Sequence, residues 1–482
     1  MRRAKHNQYT NDQKNSKRPR PVSFITRLVN SWADRVLGAM KDGGLHDAEE
    51  QYESHRTSKD FKWNSLGSAA WSLVFPIVTM VSTQVVGVER AGMISMAFVV
   101  GLLLMFVGNF GTRAYQASDL NEEHTFIDYQ VTRWITCLLM LLCGWLYATL
   151  RGYSGEMMDV MSAVLVYRMV DALADVYEGR LQQVDKLYLA GISQFVRSAG
   201  AIVFFSVFLF LSGSPHLSCW AMAIVAIASF VLITLPLTLM ESKKSAGFNI
   251  KSVIELLKIT APLFLAIFLF NLIESMPKLV MEGMLDYDAQ LYFNALYFPA
   301  QMILIIGQLV YKPLIVKMAG VWQDEAKRRK FDLLLLGILL IIVAVTVAML
   351  AVMGTVGIPV MSILYGVEFE TYRYLAYVMI ITGGITAAID FVYQVITVMR
   401  RQKEVMSLYI VTFLFAIFIP MLLISFEGLN GAILSYLIIE TILLVLLVWE
   451  YFRIRRDLAR EAQIREEAVS EARKQLFSDM KS

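Results

Sequence analysis

The sequence predicts an all-α integral membrane protein with about twelve transmembrane helices in two six-helix bundles. Three observations carry this. Of 482 residues, 57% are hydrophobic, and the mean hydropathy is +0.54. The apolar residues fall into blocks long enough for a hydrocarbon core of about 30 Å, which needs about 20 helical residues. Basic residues gather in alternate connections between those blocks, as the positive-inside rule requires of a chain that crosses repeatedly.

Taken in order, the helices are expected at 64–87, 91–111, 131–151, 157–178, 188–212, 216–239, 252–275, 288–312, 331–356, 371–397, 404–425 and 429–452. Charges weaken the hydropathy of the fourth, and without it the loops lose their alternation. One set of connections carries Lys243, Lys244 and Lys251, then Lys317, Lys327, Arg328, Arg329 and Lys330, then Arg400, Arg401 and Lys403, with Arg453, Arg455 and Arg456 after the last helix. The other set holds little beyond Arg90, Arg151, Lys278 and Arg373. Both termini are therefore expected on the cytoplasmic side.

Residues 1–62 are expected to form a cytoplasmic basic tail and an amphipathic helix, 63–242 and 243–452 the two bundles, and 453–482 a charged cytoplasmic helix. In the first segment Ile25, Leu28, Val29, Trp32, Val36, Leu37 and Met40 recur at helical spacing opposite Arg27, Asn30, Asp34 and Arg35. This predicts either a helix lying in the inner-leaflet interface or one docked on the protein's own cytoplasmic face. Met1 to Arg20 is basic with no apolar core behind it, unlike a signal peptide.

Composition excludes several classes. A net charge of +3 gives nucleic-acid binding no electrostatic support. Cys137, Cys143 and Cys219 match no zinc or redox spacing, and the five histidines form no ligand cluster in sequence, so neither metal nor cofactor is expected. There is no Gly-x-x-x-x-Gly-Lys-Ser/Thr loop for ATP. Energy would come from an ion gradient, the membrane potential or chemistry on either side.

Charges inside the spans are the candidate site. Arg168, Asp171 and Asp175 share one helical face by their spacing of three and four. A lipid-facing charge costs roughly 3 kcal/mol or more, so this face should see protein or water. Arg113, Arg168, Arg197 and Lys312 are the candidates for holding an anionic substrate. Their competing readings are structural: an Arg168–Asp171 pair, an Arg197 bridge to Asp171 or Asp175, an Arg113–Asp119 pair, and a snorkelling Lys312. Asp171 and Asp175, with Asp390 and Glu440 in the second half, are the candidates for coupling to H+ or Na+, against permanently protonated acids bonded to a neighbouring helix. A faint internal echo joins the halves: Gly108 precedes Arg113 by five positions, and Gly307 precedes Lys312 by five.

The stretch from Gly111 to Arg133, with Arg113, Tyr115-Gln116, Ser118-Asp119, Phe126, Tyr129 and Arg133, resembles the loop after the second helix in Wzx-like polysaccharide flippases of the multidrug/oligosaccharidyl-lipid/polysaccharide (MOP) superfamily. Pro313 to Trp322 resembles the exit of their eighth helix, and Tyr365-Gly366 their turn before the tenth. The resemblance implies two six-helix bundles facing across a V-shaped cavity. It implies a non-enzymatic carrier in the bacterial cytoplasmic membrane that moves a polyprenyl-pyrophosphate-linked oligosaccharide outward for polysaccharide or lipopolysaccharide biosynthesis, beside polysaccharide-assembly proteins. Arginine suits a pyrophosphate, because its planar fork donates paired bonds and stays charged. Two alternatives remain open at this point: a cation-coupled drug or metabolite exporter of the same superfamily, and an integral-membrane polysaccharide polymerase or ligase.

Overall fold

The computed structural model describes residues 49–119, 122–242, 247–323 and 328–479. The basic tail and the amphipathic helix expected near 25–40 lie outside these. The chain separates into two compact units, Met1–Lys59 and Asp60–Ser482. In the first, residues 49–59 are helical; the second carries everything that follows.

Fifteen α-helices run through the described residues, and no strand does. They are α1 (Glu49–Val86), α2 (Val88–Asn109), the short α3 (Thr112–Ser118), α4 (Phe126–Leu150), α5 (Gly155–Gln183), α6 (Leu187–Ser212), α7 (Pro215–Ser229) and α8 (Leu235–Glu241). Then come α9 (Ile250–Met281), α10 (Tyr287–Gln323), α11 (Arg328–Val352), α12 (Ile358–Tyr365), α13 (Arg373–Val398), α14 (Gln402–Glu427) and α15 (Leu429–Asp479). A π turn joins α7 to α8 (Phe230–Thr234) and another joins α11 to α12 (Met353–Gly357), so each of these pairs forms one span.

Among the described residues eleven helices are long and apolar enough to cross a membrane. With α5 they make the twelve expected crossings. The punctuation between them is local chemistry. Gly87 (φ 86°), Gly213 (φ 62°) and Gly428 (φ 56°) turn the chain in backbone conformations that glycine adopts freely. Asn249 caps α9 by accepting from the Lys251 amide at 3.1 Å. The Asp128 carboxylate accepts from the Thr125 amide at 3.2 Å at the start of α4. Two boundaries move with consequence: α9 continues six residues past its expected end at 275, and α10 eleven past 312. Lys278, read from sequence as a loop residue, is thereby carried inside a helix and buried.

Among the described residues the two larger buried apolar cores follow the chain order. One is built on residues from Val74 to Ala226, centred on Phe98, Val164, Tyr167 and Phe205. The other runs from Ile273 to Ile454, centred on Phe293, Ile380, Phe391 and Tyr436, and it also takes in Ala91 of α2. Outward faces carry exposed Leu138, Leu142, Trp145, Leu211, Phe418 and Phe426, the surface a hydrocarbon solvent wants.

The two halves meet firmly at the end away from the basic connections. There Gln84 Nε2 donates to the Leu364 carbonyl at 2.6 Å. Arg151 donates to the Leu279 carbonyl at 2.6 Å and sits 3.4 Å from Glu282, which also accepts from Tyr147 at 2.5 Å and from Tyr153. Burial pushes the Glu282 carboxyl up, and Tyr147 and Arg151 pull it partway back. Gly92 lies so close to the Tyr287 carbonyl that a Cβ would stand 2.0 Å from its oxygen.

Candidate functional site

α5 carries more buried charge than the other crossings of the first half, and it can do so because protein encloses most of it. Nineteen of its residues are buried, and four of those are charged: Arg168, Asp171 and Glu178 along one side, and Arg180 on the other, where it pairs with Glu122. Asp171 accepts from Arg168 Nη1 at 3.0 Å and from Arg197 Nε of α6 at 2.8 Å. Arg197 continues to Glu178 at 2.7 Å, and Ser193 donates to the same carboxylate oxygen at 3.0 Å. One turn below Asp171, Asp175 accepts from Arg113 at 2.7 Å and from Arg133 at 2.8 Å. Four arginines from four helices thus share three carboxylates of one helix. In a low-dielectric interior such a cluster is tolerable only when nearly every group is paired.

The segment that carries the resemblance builds this brace. Arg133 donates to the Gly108 carbonyl, Asn109 and Thr112 as well as to Asp175, tying α2, α3 and α4 to α5. Gln116 donates to the Val176 carbonyl at 3.0 Å. Asp119 accepts from Tyr129 at 3.0 Å and from the amides of Glu123 and His124. Arg113 pairs with Asp175 and Gln182, which corrects the expected Arg113–Asp119 pair: Asp119 is spent on the turn into α4.

A cavity of about 440 Å³ lies between the two halves. Trp71, Phe75, Phe106 and Arg168 face it from the first half. Asn271, Glu274, Lys278, Tyr297, Gln301, Gln308, Thr386 and Asp390 face it from the second. Two cations and two carboxylates therefore share the wall with amides, hydroxyls and aromatic rings. Arg168 projects among the rings of Trp71, Phe98 and Tyr167, with its guanidinium carbon 5.5, 5.0 and 5.0 Å from their centroids. Trp71 also donates to Asp171 at 3.2 Å, so the pair is fixed from both sides.

Of the eight residues singled out from sequence, the cavity brings together two, Arg168 and Asp390. Arg197 is 1% exposed and enclosed between α5 and α6. Asp171 and Asp175 are occupied by arginines. Lys312 lies exposed at the basic end and donates to Gln308. Asp390 accepts from Gln308 at 3.1 Å and from Tyr311. Glu440 is wholly buried behind the wall; Thr386 donates to its Oε2 at 3.3 Å, and its Oε1 has no partner.

The sequence reading passed over Glu274, Lys278 and Glu178. Glu274 accepts from Tyr297 at 2.5 Å, Tyr436 at 3.1 Å and Gln301 at 3.2 Å. The signal was present in Asn271-x-x-Glu274-x-x-x-Lys278, a polar stripe on one helical face, but the helix was ended at 275. Glu178 falls on the last position of the expected helix 157–178, which α5 extends to Gln183. No group of three or more His, Cys, Asp or Glu among the described residues could hold a metal ion.

No protein-family model matches the chain, and no curated protein does. Solved structures do. An inward-facing multidrug resistance MATE family transporter of the MOP superfamily aligns with a TM-score of 0.57 at 13% identity, over 80% of this chain and 95% of that one. The Vibrio cholerae MATE transporter VcmN, as a point mutant, aligns at 0.53 and 14% identity, over 84% and 98%. A MATE in the bent conformation aligns at 0.51 and 13%, over 83% and 96%. The fold is that of the MATE transporters. At such identity the likeness shows the MATE fold and leaves the cargo to be argued from the cavity itself.

Proposed function

We propose that the chain is a carrier for a polyprenyl-pyrophosphate-linked oligosaccharide, moved across the bacterial cytoplasmic membrane by alternating access between its two halves. The observation that carries this reading is that Arg168 and Lys278, one from each half, line the same cavity. An anionic head could be held between them while its lipid tail stays in the bilayer. Aromatic rings and amides beside them, Trp71, Phe106, Gln301 and Gln308, suit sugar faces and hydroxyls. With the basic end in the cytoplasm, the joint around Glu282, Gln84 and Gly92 closes the outer side, and the cavity serves the inner leaflet. Arg113, Arg197 and Lys312 act in this reading at a distance: the first two hold α5 in place, and Lys312 guards the entrance. Asp390 and Glu440 serve as the acids that couple transport to protons. Polysaccharide-assembly enzymes supply and consume the cargo.

The experiment is reconstitution into vesicles with a fluorescent lipid-linked oligosaccharide on one leaflet. Protein-dependent loss of protection from a membrane-impermeant quencher is expected, and Arg168→Lys should slow it. Equal rates for a plain phospholipid probe would overturn the reading.

Glu274 and Asp390 on the same wall favour a second reading, an exporter of organic cations. Its mark is efflux of a cationic dye that fails in Asp390→Asn while lipid-linked sugar stays in place. The enzyme reading is the least supported: connections at the closed end, such as 151–154, 213–214 and 282–286, are too short to carry a catalytic domain.

A further inference from the structure

Lys278 is 6% exposed, lies within α9 and faces the cavity. Among the described residues its ammonium makes no hydrogen bond and no ion pair. Its nearest support is a ring: Nζ stands 3.7 Å from the centroid of Tyr297 and 5.7 Å from that of Phe293. A buried cation resting on a phenol ring is seated near anions without being locked to one.

Two carboxyl groups act on it, Glu274 and Glu440. Glu274 lies one turn earlier on the same helical face. Its neighbours are donors, with Tyr297, Tyr436 and Gln301 all aimed at it. Glu440 has the opposite problem, since its Oε1 is buried with no donor at all. The cluster therefore contains one cation without an acceptor and one acceptor without a donor, close enough to interact. Tyr436 connects them, lying between Glu274 at 3.1 Å and Thr386, which serves Glu440.

We propose that Lys278 is a tethered counter-cation. Its ammonium fills the place that a free alkali-metal ion would take among Glu274, Glu440, Tyr297 and Tyr436, so the cluster works without bound sodium. A cation on a side chain is present at an effective concentration no dissolved ion matches. A second cation entering the same low-dielectric space would meet it at close range. It shares Lys278 with the proposed function, which sets the substrate's anionic head beside the same ammonium.

The test uses the full chain purified in detergent, with thermal unfolding followed in sodium chloride and in choline chloride at equal ionic strength. Wild type is expected to unfold at the same temperature in both. Lys278→Met should gain a saturable stabilisation by sodium of roughly a few degrees. Adding Glu274→Gln to it should abolish that gain, and Lys278→Arg should stay indifferent to sodium. A Lys278→Met chain too unstable to purify in choline should be recovered by purification in sodium. Saturable sodium stabilisation of wild type overturns the proposal. So does a Lys278→Met chain that sodium neither stabilises nor recovers. None of these readouts involves transport, so failure of the vesicle assay leaves the proposal standing.

Discussion

Arg197 of α6 donates from Nε to Asp171 of α5 across 2.8 Å, with both side chains enclosed. The contact joins consecutive crossings in the middle of the first half. Removing one partner strands a charge where water cannot reach. Arg197→Met should cost roughly 3–5 kcal/mol, because Asp171 and Glu178 both lose their bridge. A lower unfolding temperature and lower membrane yield would show it. An Arg197→Met chain as stable as wild type would mean that the two acids are protonated and need no partner.

Arg168 should behave differently. It shares Asp171 with Arg197 but also faces the cavity, so Arg168→Lys is expected to keep most of the stability and slow transport. Arg168→Ala with Asp171→Asn removes the stranded acid but leaves Arg197 with Glu178 alone. Expression should therefore recover only partly. Near-normal transport per folded molecule in that double variant would remove Arg168 from the substrate's path.

The closed end makes a pH prediction. Glu282 has a raised carboxyl pKa in the closed arrangement because it is buried there, with Tyr147 and Arg151 opposing the shift. In the open arrangement it is hydrated and titrates in the ordinary carboxylate range. Closure is then fully favoured below that range and weakens as pH rises through the raised value. Spin labels at the exposed positions Glu89 and Asp288 should report longer separations as pH increases over this window. Glu282→Gln should flatten the curve at its low-pH level. A curve that rises toward low pH would reverse the argument.

Gly92 supplies a steric test of the same joint. Alanine there places its methyl 2.0 Å from the Tyr287 oxygen, a contact backbone cannot yield to cheaply. Gly92→Ala should shift the same pair of labels to the longer distance at every pH. Unchanged distances would show that α2 and α10 already stand apart in the membrane.

Orientation needs its own measurement. Reporters fused after Ser245 and after Lys330 should read as cytoplasmic, and one near Tyr287 as external. A cytoplasmic signal at Tyr287 would turn the proposed direction of transport around.

All twelve crossings were legible in sequence because lipid demands long apolar runs and marks their ends with charge. Even α5 could be read, from the spacing of Arg168, Asp171 and Asp175. The partners of those charges could not. Spacing along one helix puts Arg168 beside Asp171, but nothing local says that Arg133 reaches Asp175 from 42 positions away, or that Asp119 is spent on a turn. Arg197 reads from sequence both as a ligand and as a bridge to Asp171 or Asp175, and the Asp171 bridge is the one that forms; its second bridge, to Glu178, depends on how α5 and α6 pack. Lys278 was lost by a boundary. The expected helix stops at 275, whereas α9 runs through Pro277 and Lys278 to Met281.

The enclosure of α5 also bears on how the chain is made. A segment with Arg168, Asp171, Asp175 and Glu178 partitions poorly into lipid by itself, while its neighbours α4 and α6 do so readily. During synthesis α5 is therefore expected to enter the bilayer only together with Arg197, which follows Glu178 by about twenty residues and pairs with it. The first half is then committed to the bilayer as a group, and its order of assembly is written into the distance between an acid and the arginine that follows it. Errors at these positions would be met by quality control before any cargo is.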